Sequence, residues 1–116
     1  MTMEALQAAA EGFVGIYHAD TRLCAGQANW DCVIRLAPDE AVPRVVMTVR
    51  KGRVSVAPDD GGECDLEVRA SLQVLLDILE LRLNPSEPYV FGELTVIGAE
   101  ADFMRVDYVA GVLCAA

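Results

Sequence analysis

The sequence has little basic charge, few aromatic residues and no long apolar run. Its 116 residues include 9 Lys and Arg against 18 Asp and Glu, and the formal net charge is −9. An acidic chain repels nucleic-acid phosphates and anionic membrane surfaces, so we expect no nucleic-acid partner. No apolar run reaches the roughly 18 residues that a membrane-spanning helix needs, so we expect no transmembrane segment. The acidic N-terminal residues predict no secretory signal.

Residues that carry covalent or metal chemistry are also scarce. The only histidine, His18, forms no zinc-site or triad spacing with the cysteines, and it is interpreted as a cation at a helix end. There is no C-x-x-C pair, no G-x-S-x-G turn and no phosphate-binding loop. The cysteines are therefore predicted to be small hydrophobic residues in a reducing cytoplasm, not disulfides or reactive thiols. We expect no catalytic set, no metal and no cofactor. The cysteines are Cys24, Cys32, Cys64 and Cys114.

Apolar side chains are what the sequence has in excess. Hydrophobic residues make up 53% of the chain, and the mean hydropathy of +0.31 is high for a chain without a membrane span. The length suits a single domain over residues 1–116. The apolar excess must therefore fill the interior, or lie in an interface with a ligand or partner.

Hydrophobic periodicity predicts helices and strands in an α+β order. Helical spacing covers residues 3–19, with Thr2 as the N-cap, and residues 20–27 are predicted to form a loop. Alternating segments at 30–36, 45–50, 54–56 and 64–70 predict an antiparallel meander with one apolar face, and Lys51-Gly52 predicts a tight turn.

Three helices and a last strand follow. Ser71 is predicted to cap a leucine-rich helix that runs to about Arg82, and its apolar residues cover more than half of the helix circumference. That helix must therefore be buried on more than one side, against another helix, a partner chain or a ligand. Asn84, Pro85 and Glu87 predict the capped start of a short helix, before a strand at 94–98. In the final helix, residues 101–114, one apolar face carries Phe103, Val106, Ala110 and Leu113, and an adjacent face carries Met104, Tyr108 and Val112.

The second half of the chain resembles the sterol carrier protein type 2 family. The resemblance rests on the segments Asp65-Leu66-Glu67-Val68, Ser71-Leu72, Leu83-Asn84-Pro85 and Gly92-Glu93-Leu94-Thr95-Val96-Ile97-Gly98, followed by a closing helix. The resemblance implies a five-stranded, mostly antiparallel sheet covered on one face by helices, with an apolar tunnel between the layers. It also implies binding of sterols, fatty acyl chains or other lipophilic molecules. Where the family often has Asp after the second glycine, this chain has Ala99-Glu100, and Glu100 is interpreted as the start of the helix.

These observations predict non-catalytic binding, transfer or presentation of a lipophilic small molecule that is sterol, fatty acyl or isoprenoid-like. A cytoplasmic, bacterial protein is expected, because the basic residues are eight arginines and one lysine. The predicted ligand-binding residues are Trp30, Ile34, Met47, Val49, Leu72, Leu75, Leu76, Leu79, Tyr89, Phe91, Leu94, Val96, Phe103, Met104, Tyr108 and Val112.

Two alternative functions remain open from the sequence. The first is a protein-interaction or dimerisation module accessory to an enzyme, in which the apolar helices pack on a homodimer partner or on the partner enzyme. The second is a cyclase or isomerase that acts on a lipophilic biosynthetic intermediate, with Asp77, Asp107 or Tyr108 as its acid or base.

Overall fold

Helices flank a central run of strands in the computed structural model, which describes residues 2–115, with the backbone alone for residues 2–4. The predicted cap at Thr2 therefore lies outside the described side chains. Within the described part of the chain, no helix combines the length and the hydropathy needed to cross a bilayer. The elements are α1 (Thr2–Ala19), α2 (Thr21–Gly26), β1 (Cys32–Pro38), β2 (Val45–Arg50), β3 (Arg53–Pro58), β4 (Leu66–Ala70), α3 (Leu72–Leu79), α4 (Ser86–Val90), β5 (Leu94–Gly98) and α5 (Glu100–Ala115).

The five strands form one mixed sheet in the order β3-β2-β1-β4-β5. Neighbouring strands pair antiparallel except β1 and β4, which are parallel, with Ile34 opposite Leu66. The predicted five-stranded, mostly antiparallel sheet is confirmed, but the prediction that β4 continues an antiparallel meander is wrong. Residues 59–65 carry the chain from β3 past β2 and β1 to the far side of β1, and such a crossover connection brings the next strand in parallel.

One face of the sheet is apolar and covered by helices, as predicted. Residues of this face lie opposite one another in register, for example Met47 opposite Ile34. α1 packs on β2 and β3, α3 packs on β1, and α4 and α5 pack on β5. The strand residues buried in this core are Cys32, Ile34, Leu36, Val45, Met47, Val49, Leu66, Val68, Ala70 and Leu94.

The opposite face carries an ionic network around Arg35. Its guanidinium pairs with Asp59 (Nε to Oδ2, 3.1 Å) and with Glu67 (Nη1 to Oε1, 3.1 Å). Glu67 is buried and also pairs with Arg69. Hydrogen bonds from Arg69 and Arg35 hold the pKa of the Glu67 carboxyl below its ordinary value, so it stays ionised at neutral pH. The network ties the connection between β3 and β4 to the outer face of β1.

The segment predicted as a loop after α1 contains the short helix α2. The carboxylate of Asp20 caps it, accepting a hydrogen bond from the Leu23 backbone N–H at 3.0 Å. Helix α2 has only 6 residues, too few for an apolar period to be visible in the sequence. The buried side chain of Leu23 anchors it to the core.

The predicted side-chain cap is present at the start of α3 and absent at the start of α4. Ser71 Oγ accepts a hydrogen bond from Val74 N at 3.2 Å, as predicted for α3. This helix ends before the predicted limit because Leu81 adopts a left-handed φ of 63°. At α4 the predicted side-chain cap by Asn84 is wrong. The backbone N–H of Ser86 instead donates to Asp107 Oδ1 at 3.1 Å, so a residue of α5 caps α4.

The turn between β2 and β3 packs on the segment that follows α2. Lys51 and Gly52 have φ values of 50° and 79°, as the predicted two-residue hairpin requires. A Cβ on Gly52 would lie 2.8 Å from the backbone oxygen of Gln27. The close contact leaves no room for a side chain and fixes the hairpin against the helical layer.

Candidate functional site: an apolar cavity between sheet and helices

A cavity of about 70 Å³ lies between the apolar face of the sheet and the helices. The strands and Trp30 form its floor, and α1, α3, α5 and the residue before α4 form its roof. Every lining residue is apolar or aromatic. They are Phe13, Tyr17, Trp30, Ile34, Leu36, Met47, Val49, Val54, Val68, Leu75, Ile78, Leu79, Pro85, Leu94, Phe103, Val106, Val109 and Ala110.

The cavity is small for the number of side chains that surround it. An engineered apolar cavity of about 150 Å³ takes up benzene, so the 70 Å³ here is less than one aromatic ring needs. The walls are therefore almost in contact. A tunnel that holds a lipid requires the sheet and helix layers to lie further apart than they do here. The apolar tunnel therefore stays a prediction, for a ligand-bound state.

Both lining residues that carry a polar atom direct it to other elements. The Tyr17 hydroxyl donates to the backbone oxygen of Gly52 at 2.6 Å, and burial raises the pKa of Tyr17 to about 12. The indole Nε1 of Trp30 donates to Asp102 Oδ1 on α5 at 3.1 Å. Because these groups already have partners, the cavity wall can select a ligand only by shape and hydrophobicity.

Half of the predicted ligand-binding residues line the cavity. Their position agrees with the predicted role, and binding itself stays a prediction for each of them. They are Trp30, Ile34, Met47, Val49, Leu75, Leu79, Leu94 and Phe103.

The other half lies outside the cavity. Leu72, Leu76 and Val96 are half-buried and pack on the main core, and Val112 packs on a smaller cluster. Helix α3 packs on α1 as well as on β1, which accounts for the second apolar side predicted for this helix. Exposed positions on α4, at its C-terminal end and on α5 hold Tyr89 (49% exposed), Phe91 (74%), Met104 (61%) and Tyr108 (57%).

Ten lining residues were missed. Phe13 and Tyr17 are four apart on α1, which is the spacing of one helix face. Val54 lies opposite Val49 across the hairpin. The pattern therefore placed them on the inner face but did not distinguish cavity from solid core. The missed residues are Phe13, Tyr17, Leu36, Val54, Val68, Ile78, Pro85, Val106, Val109 and Ala110.

The candidate acids and bases all lie away from the cavity. Asp77 accepts hydrogen bonds from Arg82 (2.7 Å) and Gln73 (2.9 Å) on the protein surface, and the Arg82 bond lowers its pKa. Asp107 caps α4, and Tyr108 is exposed. None of the three lines the cavity, so none is placed to act on a molecule inside it.

His18 is an acceptor and not the predicted helix-end cation. Its Nε2 accepts a hydrogen bond from the Val54 backbone N–H at 3.1 Å. Burial, with a smaller effect from the positive charge of Arg53, lowers the pKa of His18. The imidazole is therefore neutral at pH 7, and it ties α1 to the edge strand β3.

All four cysteines are free thiols. Cys32 is fully buried, and burial, reinforced by the nearby charge of Asp102, raises its pKa to about 12. Cys24 and Cys114 are half-buried and donate to the backbone oxygens of Tyr17 and Leu81, each at 3.2 Å. Across the described residues, no group of three potential metal ligands comes together.

A surface groove of about 480 Å³ runs along the outer side of α5 and is lined by Gly26, Gln27, Ala101, Met104, Arg105 and Tyr108. We call it the Arg105 groove. Arg105 Nη1 donates to Oε1 of the buried Gln27 at 2.7 Å. The guanidinium also lies over the Trp30 ring, 5.6 Å from its centre. Trp30, which lines the cavity, therefore also lies next to a residue of the Arg105 groove.

A five-stranded sheet that encloses an apolar cavity under a one-sided layer of helices defines a class of small α+β domains suited to apolar ligands. The family model for the SCP-2 sterol transfer family matches residues 26–110. The chain belongs to this family, whose domains bind lipids.

Solved structures share the fold at low sequence identity. UbiJ-SCP2, a ubiquinone synthesis protein, is 16% identical with a TM-score of 0.73, and the match covers 93% of this chain and 94% of that one. Palmitated SCP2L2 from Aedes aegypti is 20% identical with a TM-score of 0.67, covering 97% and 95% of the two chains.

The same fold also occurs within a longer enzyme. The sec-alkylsulfatase Pisa1 from Pseudomonas sp. is 15% identical with a TM-score of 0.60. There the match covers 78% of this chain but only 14% of the sulfatase. No curated protein matches the chain significantly in sequence.

Proposed function

We propose that the chain binds a lipophilic small molecule in the apolar cavity without catalysis, and carries or presents it. The observation that carries this proposal is the apolar wall of the cavity. The two polar groups on the lining side chains, the Tyr17 hydroxyl and the Trp30 indole N–H, are hydrogen-bonded to other elements. Burial of about a dozen methylenes contributes on the order of 10 kcal/mol of transfer free energy. After the costs of ordering the ligand and of separating the sheet and helix layers, an affinity in the micromolar range is within reach without any polar contact.

The size of the cavity favours a flexible alkyl or isoprenoid-like chain over a rigid sterol. A chain enters a few methylenes at a time, as side chains such as Met47 and Phe103 change rotamer. A fused ring system needs its whole volume at once, and 70 Å³ is far below that. The palmitate of the Aedes aegypti protein is a ligand of the favoured kind, bound by a chain of the same fold.

Trp30 makes this proposal directly testable, because it is the only tryptophan and lines the cavity. Titration with palmitate is expected to shift its fluorescence emission and to saturate with a Kd on the order of micromolar or below. Native mass spectrometry is expected to show one added palmitate, and cholesterol is expected to bind more weakly. An unchanged emission together with only the unliganded mass, for both lipids, would contradict the proposal.

A second candidate function, an interaction module, is favoured by the exposed apolar residues at the end of α4 and on α5. Val90 and Phe91 are 76% and 74% exposed. The Asp107–Ser86 hydrogen bond holds α4 beside α5, where Met104 and Tyr108 are also exposed. An accessory role in a pathway such as the one UbiJ-SCP2 is described for requires a docking surface of this kind.

Dimerisation through this surface is tested by sedimentation velocity over about a hundredfold range of protein concentration. If the surface joins two copies, the wild-type chain shifts from monomer to dimer, and Phe91→Ser weakens the dimer about tenfold because its ring is no longer buried. Ile16→Ser is the matched control, since Ile16 is 50% exposed on α1. A monomer at every concentration contradicts this second candidate.

A further inference from the structure

We infer that the Arg105 groove is the head-group site for the bound lipid, and that the lipid is a single-chain amphiphile with an anionic head. The inference rests on the proposed function, because it takes the apolar cavity as the site of the chain. It adds the chemistry of the polar end and the place where that end lies.

The cavity itself has no position for a polar head. The hydroxyl of Tyr17 and the indole N–H of Trp30 are already bonded. A buried head group without partners costs about 1–3 kcal/mol or more. The head of an amphiphile must therefore lie outside the cavity wall, where water or a protein cation can solvate it.

The groove lies directly behind that wall. On α5, Val106 and Val109 face the cavity, whereas the adjacent residues Arg105 and Tyr108 line the groove. Trp30 lines the cavity, and the Arg105 guanidinium lies over the same ring. A chain that passes between α5 and the segment after α2 would bring its head group to Arg105.

The charge state of Arg105 selects an anion. Within residues 5–115, whose side chains are described, no carboxylate forms an ion pair with it, although acidic residues outnumber basic ones two to one. The one hydrogen bond it donates among those residues goes to Gln27 Oε1, and a guanidinium has five N–H donors. Both acids close to it on the helix have other partners, since Asp102 accepts from Trp30 and Asp107 accepts from the Ser86 N–H. Arg105 can therefore hold a carboxylate or phosphate in a forked pair.

The Arg105–Gln27 and Trp30–Asp102 hydrogen bonds also close the seam through which the chain would pass. Each joins α5 to residues 27–30. An arriving anion competes with Gln27 for the guanidinium, so binding of the head and opening of the seam are coupled in this arrangement.

The test compares palmitate, hexadecyl phosphate and hexadecanol, which share one chain and differ in the head. Kd values are measured by displacement of a neutral fluorescent alkyl probe. The wild-type chain is expected to bind both anions at least about tenfold more tightly than hexadecanol at low salt, with the difference reduced at high salt. Which anion binds more tightly distinguishes a carboxylate from a phosphate head.

Substitution of Arg105 distinguishes the contribution of the lipid head group to the affinity from that of the alkyl chain. Arg105→Met is expected to weaken palmitate binding about tenfold and hexadecanol binding less than twofold, and Arg105→Lys is expected to retain part of the preference. Arg44 is exposed and lies immediately before β2, at the opposite end of that strand from the hairpin turn that contacts Gln27. Arg44→Met removes the same charge and is expected to leave both affinities unchanged.

Three results would overturn the inference. They are a wild-type chain that binds hexadecanol as tightly as the anions, an Arg105→Met variant that binds palmitate normally, and a variant that loses both ligands equally. In each of these the proposed function survives, because the alkyl chain still binds the wild type. Failure of all three ligands to bind the wild type would instead refute the proposed function, and the inference with it. If Arg105→Met does not fold, the wild-type comparison decides.

Discussion

Replacement of Gly98 by alanine is expected to destabilise the fold by at least about 3 kcal/mol, a large part of the stability of a small domain. Gly98 has a φ of 143°, which side chains rarely adopt, and it lies opposite the fully buried Leu66 at the end of β5. An added Cβ would lie 2.4 Å from the backbone oxygen of Asp65. Since backbone and not a flexible side chain occupies the space, β5 must move away from β4.

The matched control is Gly92→Ala, at the other end of the same motif. Gly92 also has a positive φ, 75°, but nothing lies within 4 Å of its added Cβ. Only the conformational cost remains there, and we expect about 1 kcal/mol. Chemical denaturation of the two variants measures the difference. Equal losses would show that the contact between Gly98 and β4 contributes nothing.

Filling the cavity from α5 is expected to weaken palmitate binding roughly fiftyfold. Ala110 is buried and lines the cavity, and Ala110→Leu adds three carbons to a space of about 70 Å³. Loss of room for about three methylenes, at about 0.8 kcal/mol each, corresponds to that factor. We expect stability to change by no more than about 2 kcal/mol, because the new side chain occupies existing space.

Ala8→Leu, at an exposed position of α1, is the control for the same substitution and is expected to leave the affinity unchanged. Val106→Ile adds one methylene to the cavity and is expected to weaken binding about fourfold. It keeps the test informative if the leucine at position 110 is too large. Unaltered palmitate binding by folded Ala110→Leu would place the ligand elsewhere.

The alternation of apolar residues predicted which strand residues form the apolar face of the sheet, because a strand period of two fixes which side chains share a face. Motif glycines and prolines were also informative, since they report backbone geometry. Gly98 is the clearest case, because its φ and the contact with Asp65 exclude other residues. The departure at Ala99-Glu100 leaves the start of α5 intact, as predicted, with Glu100 in its first turn.

What could not be predicted depends on contacts between distant segments. The final helix has two apolar faces in the sequence. Only packing shows that Phe103 and Ala110 are buried while Met104 and Tyr108 are exposed. The helical period identifies both faces but does not determine which one meets the sheet.

Two other features of the fold could not be predicted from the sequence. The parallel pairing of β1 with β4 depends on the path of the connecting residues 59–65, which carry no periodic signal. The cap on α4 comes from Asp107, 21 positions beyond the Ser86 N–H that it accepts. Sequence rules for helix caps consider only neighbouring residues, so they selected Asn84.

The central parallel pair also affects the order in which the protein assembles. The two antiparallel pairings of β1, β2 and β3 join segments close in sequence, whereas the pairing of Ile34 with Leu66 joins segments that are separated by the whole of β2 and β3. Closing the loop between them costs more chain entropy and slows folding relative to local pairing. Four of the cavity-lining residues belong to α5, which follows every strand along the chain. A nascent chain therefore leaves the apolar face of the sheet exposed at the cavity until α5 has been synthesised and has packed against it.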